Sequence, residues 1–287
     1  MISIKNLSFR YQESNTLALD NISLEIPKGD FFGIIGESGA GKTTLSNCIN
    51  GLIPHHFRGE YFGTVAVDGT DTFDTNPGSL ALRVGTVFQD PDTQMVADIV
   101  EDEIRFGLEN FGIPKNLIEG RITSALNDTG TAPLRQRRIR NLSGGQKQKV
   151  AIAAITALEP DILLLDEPTG ELDPASSRQI FSLLKTLNKK KGITVVIIEQ
   201  KIMLMCEFAA HLAVMAHGRL VRSGTVRDVL SDVTQLENAG INYPRTVRLY
   251  HELAARNLVP GTEEVCITTA EAAALVAKIT GSRETAG

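Results

Sequence analysis

Gly36-Glu37-Ser38-Gly39-Ala40-Gly41-Lys42-Thr43-Thr44 combines the residue types that hold a polyphosphate, at the spacing G-x-x-x-x-G-K-[ST] with a further glycine inside it. The glycines let backbone N–H groups turn inward on phosphate oxygens. A helix starting near Lys42 aims the positive end of its dipole at them. The Lys42 ammonium can reach the β- and γ-phosphates, and the Thr43 hydroxyl suits Mg²⁺. A second constellation is Ile162-Leu163-Leu164-Leu165-Asp166-Glu167-Pro168, an apolar run ending in two acids. Asp166 is placed to hold Mg²⁺, and Glu167 to orient or deprotonate an attacking water. Taken alone, such a pair also reads as a helix N-cap; beside a phosphate loop the catalytic reading is preferred. A third, Leu142-Ser143-Gly144-Gly145-Gln146, precedes a helical period carried by Val150, Ala153, Ala154, Ala157 and Leu158. Ser143 would cap that helix and the glycines would bare its first N–H groups, making a second anion site. One triphosphate does not need two cradles on one chain. Two chains packed head to tail would use both, with Ser143 of one facing the γ-phosphate held by Lys42 of the other. The plainer alternative is an ordinary cap.

Elements of alternating type must position these residues. Ile2, Ile4 and Leu7, then Ile22, Leu24 and Ile26, read as strands, and Phe31-Phe32-Gly33-Ile34-Ile35 as a strand buried on both faces. The helix after the phosphate loop places Leu45, Cys48, Ile49 and Leu52 on one face, with Gly51 near its end. Val65–Val67 and Val84–Phe88 are further strands. From about Asp92 to Ala157 the helical period dominates, so an inserted helical subdomain is expected over about residues 92–157. Strand-like runs return at Ile162–Leu165, Thr194–Ile198 and His211–Met215, with helices between them, and His217-Gly218-Arg219 reads as a hairpin turn. That alternation predicts an α/β fold with a mostly parallel sheet. The residues from about 230 onward read as helical, with a loop around Val259-Pro260-Gly261. Leu275, Val276 and Ile279 form an apolar stripe that serves either a second subunit or the local core.

The 287 residues suffice for one large α/β domain and a small appendage. The net charge of −5 argues against general nucleic-acid binding, which needs a basic surface to displace counterions. The basic run Arg135 to Arg140 reads as a solvated loop face. Three scattered cysteines, Cys48, Cys206 and Cys266, lack metal-ligand spacing and suggest a reduced, intracellular protein. Met1-Ile2-Ser3-Ile4-Lys5 reads as an alternating strand rather than a signal peptide. No apolar run approaches the roughly 20 residues that span a bilayer, so work at a membrane would need partner chains to supply the spans.

The order phosphate loop, Gln89, Leu142–Gln146 and Ile162–Glu167 resembles the ATP-binding subunits of ABC transporters, over residues 1 to about 230. The resemblance implies a P-loop ABC ATPase domain over 1–229: a RecA-like, mostly parallel sheet with an antiparallel β subdomain and an inserted helical subdomain. A small C-terminal helical extension, 230–287, would follow as a dimerisation element. Tyr11 matches the aromatic residue that stacks on adenine, Gln89 the glutamine that contacts the metal and relays nucleotide state to the membrane subunit, and Leu172-Asp173 the loop crossing the dimer interface. Val87 to Met95, Val100 to Gly107, Gly107 to Pro114, and a tail at Ile241–Leu253 and Glu263–Lys278 are similar to the energy-coupling factor (ECF) group, the ATPases of vitamin and transition-metal importers. That implies ATP as substrate, Mg²⁺ as cofactor and a second ATPase subunit, identical or related. It also implies a membrane-embedded coupling subunit, a separate substrate-binding membrane subunit, and a peripheral place on the cytoplasmic face of the cell membrane. One position departs from the pattern. Gln200 stands where the family carries a histidine that contacts the γ-phosphate. An amide donates a hydrogen bond but takes up no proton near neutral pH, so either slow hydrolysis or simple substitution by Gln200 is expected. A regulatory module with weak turnover and a non-transport ABC ATPase are the alternatives. Tandem ATP modules or a long coiled coil, which would mark the latter, are missing from the sequence.

Overall fold

The computed structural model describes residues 1–259 and 263–284. The chain opens with β1 (Ile2–Tyr11), β2 (Leu19–Ile26) and β3 (Phe31–Ile35), and β3 leads through the phosphate loop into α1 (Lys42–Ile49). The short α2 (Leu52–His55), β4 (Gly59–Val67), β5 (Thr70–Asp71) and α3 (Pro77–Ala81) lead to β6 (Val84–Val87). Four helices follow: α4 (Pro91–Gln94), α5 (Val100–Asn110), α6 (Lys115–Asp128) and α7 (Gly144–Thr156). Then β7 (Ile162–Asp166), α8 (Pro174–Lys191), β8 (Thr194–Ile198) and α9 (Ile202–Phe208) alternate up to the hairpin β9 (His211–Ala216) and β10 (Arg219–Thr225). The C-terminal part carries α10 (Val226–Leu230), α11 (Val233–Asn238), α12 (Arg245–Ala255) and α13 (Thr269–Glu284). Of the loop expected around Val259-Pro260-Gly261, Pro260 and Gly261 lie outside the described residues.

The strands form two sheets. One has four antiparallel strands in the order β2-β1-β4-β5; the other has six in the order β10-β9-β3-β8-β7-β6. Within the larger sheet β9, β3, β8, β7 and β6 run parallel, and β10 joins as an antiparallel edge. Its central strands are apolar throughout because both faces are covered. Phe31, Ile35, Leu163, Leu165, Val195 and Ile197 enter one core, packed by α8 and α9. Phe32, Ile34, Ile162, Leu164, Val196 and Ile198 enter the other, packed by α1 and the antiparallel sheet. Each such fully buried aliphatic side chain contributes about 1.5–3 kcal/mol, and the period-2 alternation divides them between the two faces.

The helical stretch has its own core, in which Val100, Ile104, Leu108, Ile118 and Ile122 pack against Val150 and Ala153 of α7. The opposite side of α7, Ala151 and Ile152, belongs to the core of the large sheet. One helix is thus shared by both cores. Packing also continues past residue 230: Leu236, Ala239, Val247 and Val265 join the large-sheet core, and among the described residues Cys266, Ala272 and Leu275 form a satellite cluster. Of the expected tail stripe, Leu275 is buried there, Ile279 packs against the cluster, and Val276 is exposed. The helix after the phosphate loop ends at Ile49, earlier than expected: Gly51 takes φ +77° and Leu52 starts a separate short helix.

Within the basic run Arg137, Arg138 and Arg140 are exposed, as a solvated face would be, while Arg135 is a structural tie. Glu101 on α5 accepts hydrogen bonds from Arg135 Nε (2.7 Å), Arg105 Nη2 (2.6 Å) and Gln136 Nε2 (2.6 Å), while Arg135 also reaches Glu119 on α6 at 2.5 Å. The Arg135 hydrogen bond, reinforced by Arg105 against the opposing effect of burial, pulls the Glu101 pKa down to about 2. A depressed folded-state pKa stabilises above the unfolded value, and that stabilisation is lost as pH falls through the folded one. Replacing Glu101 by Gln should therefore cost about 1.5–3 kcal/mol at neutral pH, the scale of hydrogen bonds to a charged group. The difference from wild type should shrink between about pH 4.5 and pH 2. Urea melts across that range measure it; equal stability at pH 7 would show that the tie contributes nothing.

Candidate functional site

The phosphate loop leaves β3 at the carboxyl end of the parallel sheet, where ligands of open α/β folds bind. Gly39 and Gly41 take φ +79° and +96°, a region that side-chain-bearing residues rarely adopt. Gly36 is needed for a different reason: a Cβ there would run into the Met215 carbonyl oxygen on β9. The β9–β10 turn braces the loop through Gly218 N–H to the Ala40 carbonyl, 3.2 Å. Glu37, Ser38 and Gly39 are exposed, Ala40 is buried, and at the start of α1 Thr43 presents an exposed hydroxyl while Thr44 is buried.

Lys42 is only 5% exposed. Its Nζ donates to the carbonyls of Gly36 and Glu37, both at 2.8 Å, so it lies folded back along its own loop. Burial lowers its pKa, and the nearby carboxylates of Glu167, Asp166 and Glu199 pull it back up. Asp166 closes β7 and is 7% exposed. Burial raises its pKa, opposed by the Thr43 hydroxyl and the Lys42 charge, while the Glu167 and Glu199 charges add to the rise. Its Oδ1 is buried without a hydrogen-bond partner. An unsatisfied carboxylate oxygen on Asp166, with the Thr43 hydroxyl beside it and the Gln89 amide at the neighbouring Glu167, is a donor set of hard oxygens that fits Mg²⁺.

Glu167 stands just beyond β7 with φ +45°. A left-handed turn rather than strand alternation therefore aims its side chain, at a cost of about 1–3 kcal/mol. The turn brings the carboxylate between two amides. Gln200 Nε2 donates to Oε1 at 2.8 Å and Gln89 Nε2 donates to Oε2 at 3.3 Å. Gln89 follows β6 and Gln200 follows β8, the two strands that flank β7 in the sheet. Lys42, Thr43, Gln89, Asp166, Glu167 and Gln200 thus meet at one sheet end.

Ser143 and Gln146 bond to each other. Gln146 Oε1 accepts from Ser143 N–H at 3.0 Å, and Ser143 Oγ accepts from Gln146 N–H at 3.4 Å, a reciprocal cap on α7. Gly144 and Gly145 run close to Leu172 and Ser176, so the loop before α8 packs on the start of α7. Asp173 caps α8 by accepting from Ala175 N–H (2.9 Å) and Ser176 N–H (3.0 Å). Tyr11 ends β1, half-buried, with its hydroxyl 3.1 Å from Thr44 Oγ1 and its ring edge-on to Phe9 and Phe57.

Two features escaped the sequence reading. Glu199, 1% exposed, is a third acid at this sheet end, and the signal for it was a charge closing an otherwise apolar strand. The turn Gly240–Asn242 borders a cavity of about 460 Å³ that also meets Gly36, Glu37, Ser38 and Gln200. Gly240 takes φ +69°, and a Cβ there would run into the Glu37 carboxylate.

The family model for ABC transporters matches residues 19–170. The chain belongs to the ABC transporter ATP-binding family. A provisionally assigned ABC transporter ATP-binding protein of Pyrococcus horikoshii is 41% identical over 259 residues, 90% of this chain and 91% of the relative. The energy-coupling factor transporter ATP-binding protein EcfA1 of Clostridium novyi is 39% identical over 258 residues, 88% and 90% of the two chains. The solved structure of CbiO1 from Clostridium perfringens, part of the ABC transporter complex cbiONQ, superposes with a TM-score of 0.75 at 30% identity, covering 87% of this chain and 98% of that one. This ABC ATPase binds and hydrolyses ATP as a transporter subunit. The bacterial ABC transporter cassette MJ0796, solved as a dimer, superposes with a TM-score of 0.68 at 29% identity, covering 79% of this chain and 99% of that one. No helix among the described residues is long and apolar enough to cross a membrane.

The close approach at Gly36 leads to a test. Gly36→Ala should cost about 1–3 kcal/mol of stability, the scale of overpacking, because a β9 carbonyl must move. Urea denaturation reads it out; an unchanged midpoint would show slack between the loop and β9.

Proposed function

We propose that this ABC ATPase powers an ECF-type importer, taking up a vitamin or a transition-metal ion, as one half of a nucleotide-sandwich dimer on the cytoplasmic face of the cell membrane. The observation that carries the chemistry is the Glu167 carboxylate held between the amides of Gln89 and Gln200, at the same sheet end as Lys42 and Asp166. In this reading Lys42 exchanges its two carbonyl partners for β- and γ-phosphate oxygens. Thr43, Gln89 and Asp166 would hold Mg²⁺, which when bound offsets the charge on those oxygens. Glu167 takes the proton of the attacking water, and the two amides keep its carboxylate in place. Tyr11 stacks on adenine.

The remaining phosphate contacts come from Ser143, Gly144, Gly145 and Gln146 of a second protomer, identical or related, with the Leu172-Asp173 loop lying at the interface. A second helix N-terminus opened by glycines on the same chain, capped by Ser143, supports this arrangement. Kinship with EcfA1 and with CbiO1 supports the ECF assignment. Exposed apolar residues after β6 and on α5, namely Phe88, Val96 and Phe106, suit a membrane coupling subunit beside Gln89. A separate membrane protein would choose the cargo, and the residues after 230 would serve dimerisation.

Glu167→Gln should lower turnover by about 10²–10⁴-fold and trap an ATP-bound dimer. Light scattering at saturating ATP tests this; a variant that stays monomeric, alone and in the assembled transporter, removes the sandwich. Gln200→His should raise turnover by up to about 10²-fold if the missing phosphate contact limits hydrolysis, the scale of one oxyanion-type donor. Unchanged steady-state ATPase in the assembled transporter would mean that Gln200 serves as well as histidine.

A further inference from the structure

Gln200 lies between two charged residues that both grip the loop after Glu167. Glu199 is buried at the end of β8. Its Oε1 accepts from the Thr169 N–H at 3.0 Å and from the Thr169 hydroxyl, and its Oε2 accepts from the backbone N–H groups of Gln200 (3.1 Å) and Lys201 (3.4 Å). Lys201 Nζ donates to the carbonyls of Thr169 and Leu172 (3.0 Å for the latter) and to Ser177 Oγ at 2.9 Å. An ammonium has three protons, and these three acceptors use all of them, so none is left for a phosphate. Thr169 is held at its N–H and hydroxyl by the acid and at its carbonyl by the base.

From this geometry we infer that Glu199 and Lys201 are positioning residues for hydrolysis, locking the loop from Glu167 to Asp173 to the segment that carries Gln200. The inference rests on Glu167 being the base. The contacts close a ring: Glu167 runs through Pro168 to Thr169, Thr169 binds Glu199, and Gln200, next in sequence, donates back to Glu167. Within that ring the carboxylate and the amide that orients it cannot drift independently. The bonds at Lys201 are charge-assisted and stronger than neutral ones, and they extend the same grip to Leu172 and to the first turn of α8. Since Leu172 and Ser176 pack on Gly144 and Gly145, the lock also ties the reacting carboxylate to the start of α7. General-base catalysis is sensitive to such placement: a shift of about 1 Å can cost about 10²-fold in rate.

The test is steady-state ATPase, ATP binding and thermal melting of the full chain in its assembled transporter, for Lys201→Met, Glu199→Gln, Gln200→Ala, the Gln200→Ala/Lys201→Met pair and Glu167→Gln. Lys201→Met and Glu199→Gln should each lower kcat by about 10–10²-fold with KM for ATP and Tm nearly unchanged. Because both act through one unit, the paired variant should lose little more than the worse of its two single changes. If Glu167→Gln leaves kcat intact, the base assignment fails and this inference with it. If Glu167→Gln abolishes turnover while Lys201→Met leaves kcat unchanged, or lowers it only together with Tm, or adds its full loss to that of Gln200→Ala, the positioning role alone is overturned. Should Glu199→Gln not fold, the Lys201 measurements still decide.

Discussion

One ammonium withdrawn from water lies among three carboxylates and two peptide carbonyls, and the rest of the site is arranged around it. Removing a charge from water is costly unless partners replace the solvent. Lys42 meets that requirement with the carbonyls of Gly36 and Glu37, which belong to the loop it must serve. The acids nearby outnumber it, and Asp166, whose pKa is raised first by burial and then by the neighbouring acids, keeps one oxygen unpaired. Such a site is short of positive charge, which is the electrostatic condition for accepting a divalent cation together with a polyphosphate.

The fold meets this requirement by ending four parallel strands in one place. β3 supplies the phosphate loop, β7 the acid pair, β6 Gln89 and β8 the Glu199-Gln200-Lys201 segment. Their interiors are apolar on both faces, so each strand is fixed in register by two cores, and the polar residues at their tips inherit that precision. The left-handed turn at Glu167 lies where the chain must leave strand geometry to put a carboxylate between two amides.

The three glycine- and acid-bearing motifs were readable because their chemistry is local: glycines for backbone approach, a capping serine, an apolar strand running into two acids. The fold class followed from strand and helix periods of the kind that survive without tertiary information. What could not be read depends on residues distant in sequence. The direction of Glu167 is a backbone choice rather than a side-chain pattern. Glu199 and Lys201 matter only through Thr169, Leu172 and Ser177, at least 24 residues away. β4 extends back to Gly59, but Glu60, Tyr61, Phe62 and Thr64 are mostly exposed and show no alternation, so only Val65–Val67 looked like strand. The contact of Gly240 with Glu37 likewise needs the folded tail.

Sharing α7 between the helical core and the large-sheet core has a mechanical result. A helix seated in both cannot slide along its axis without disturbing close-packed side chains on two sides, so the serine at its tip has little freedom apart from a swing of the whole helical body. In the proposed dimer, the distance over which that tip would travel toward a neighbouring chain is then set by the length of the lever and not by slack in a loop. A protein built this way converts a small change of angle at a sheet edge into a large excursion at its outer margin.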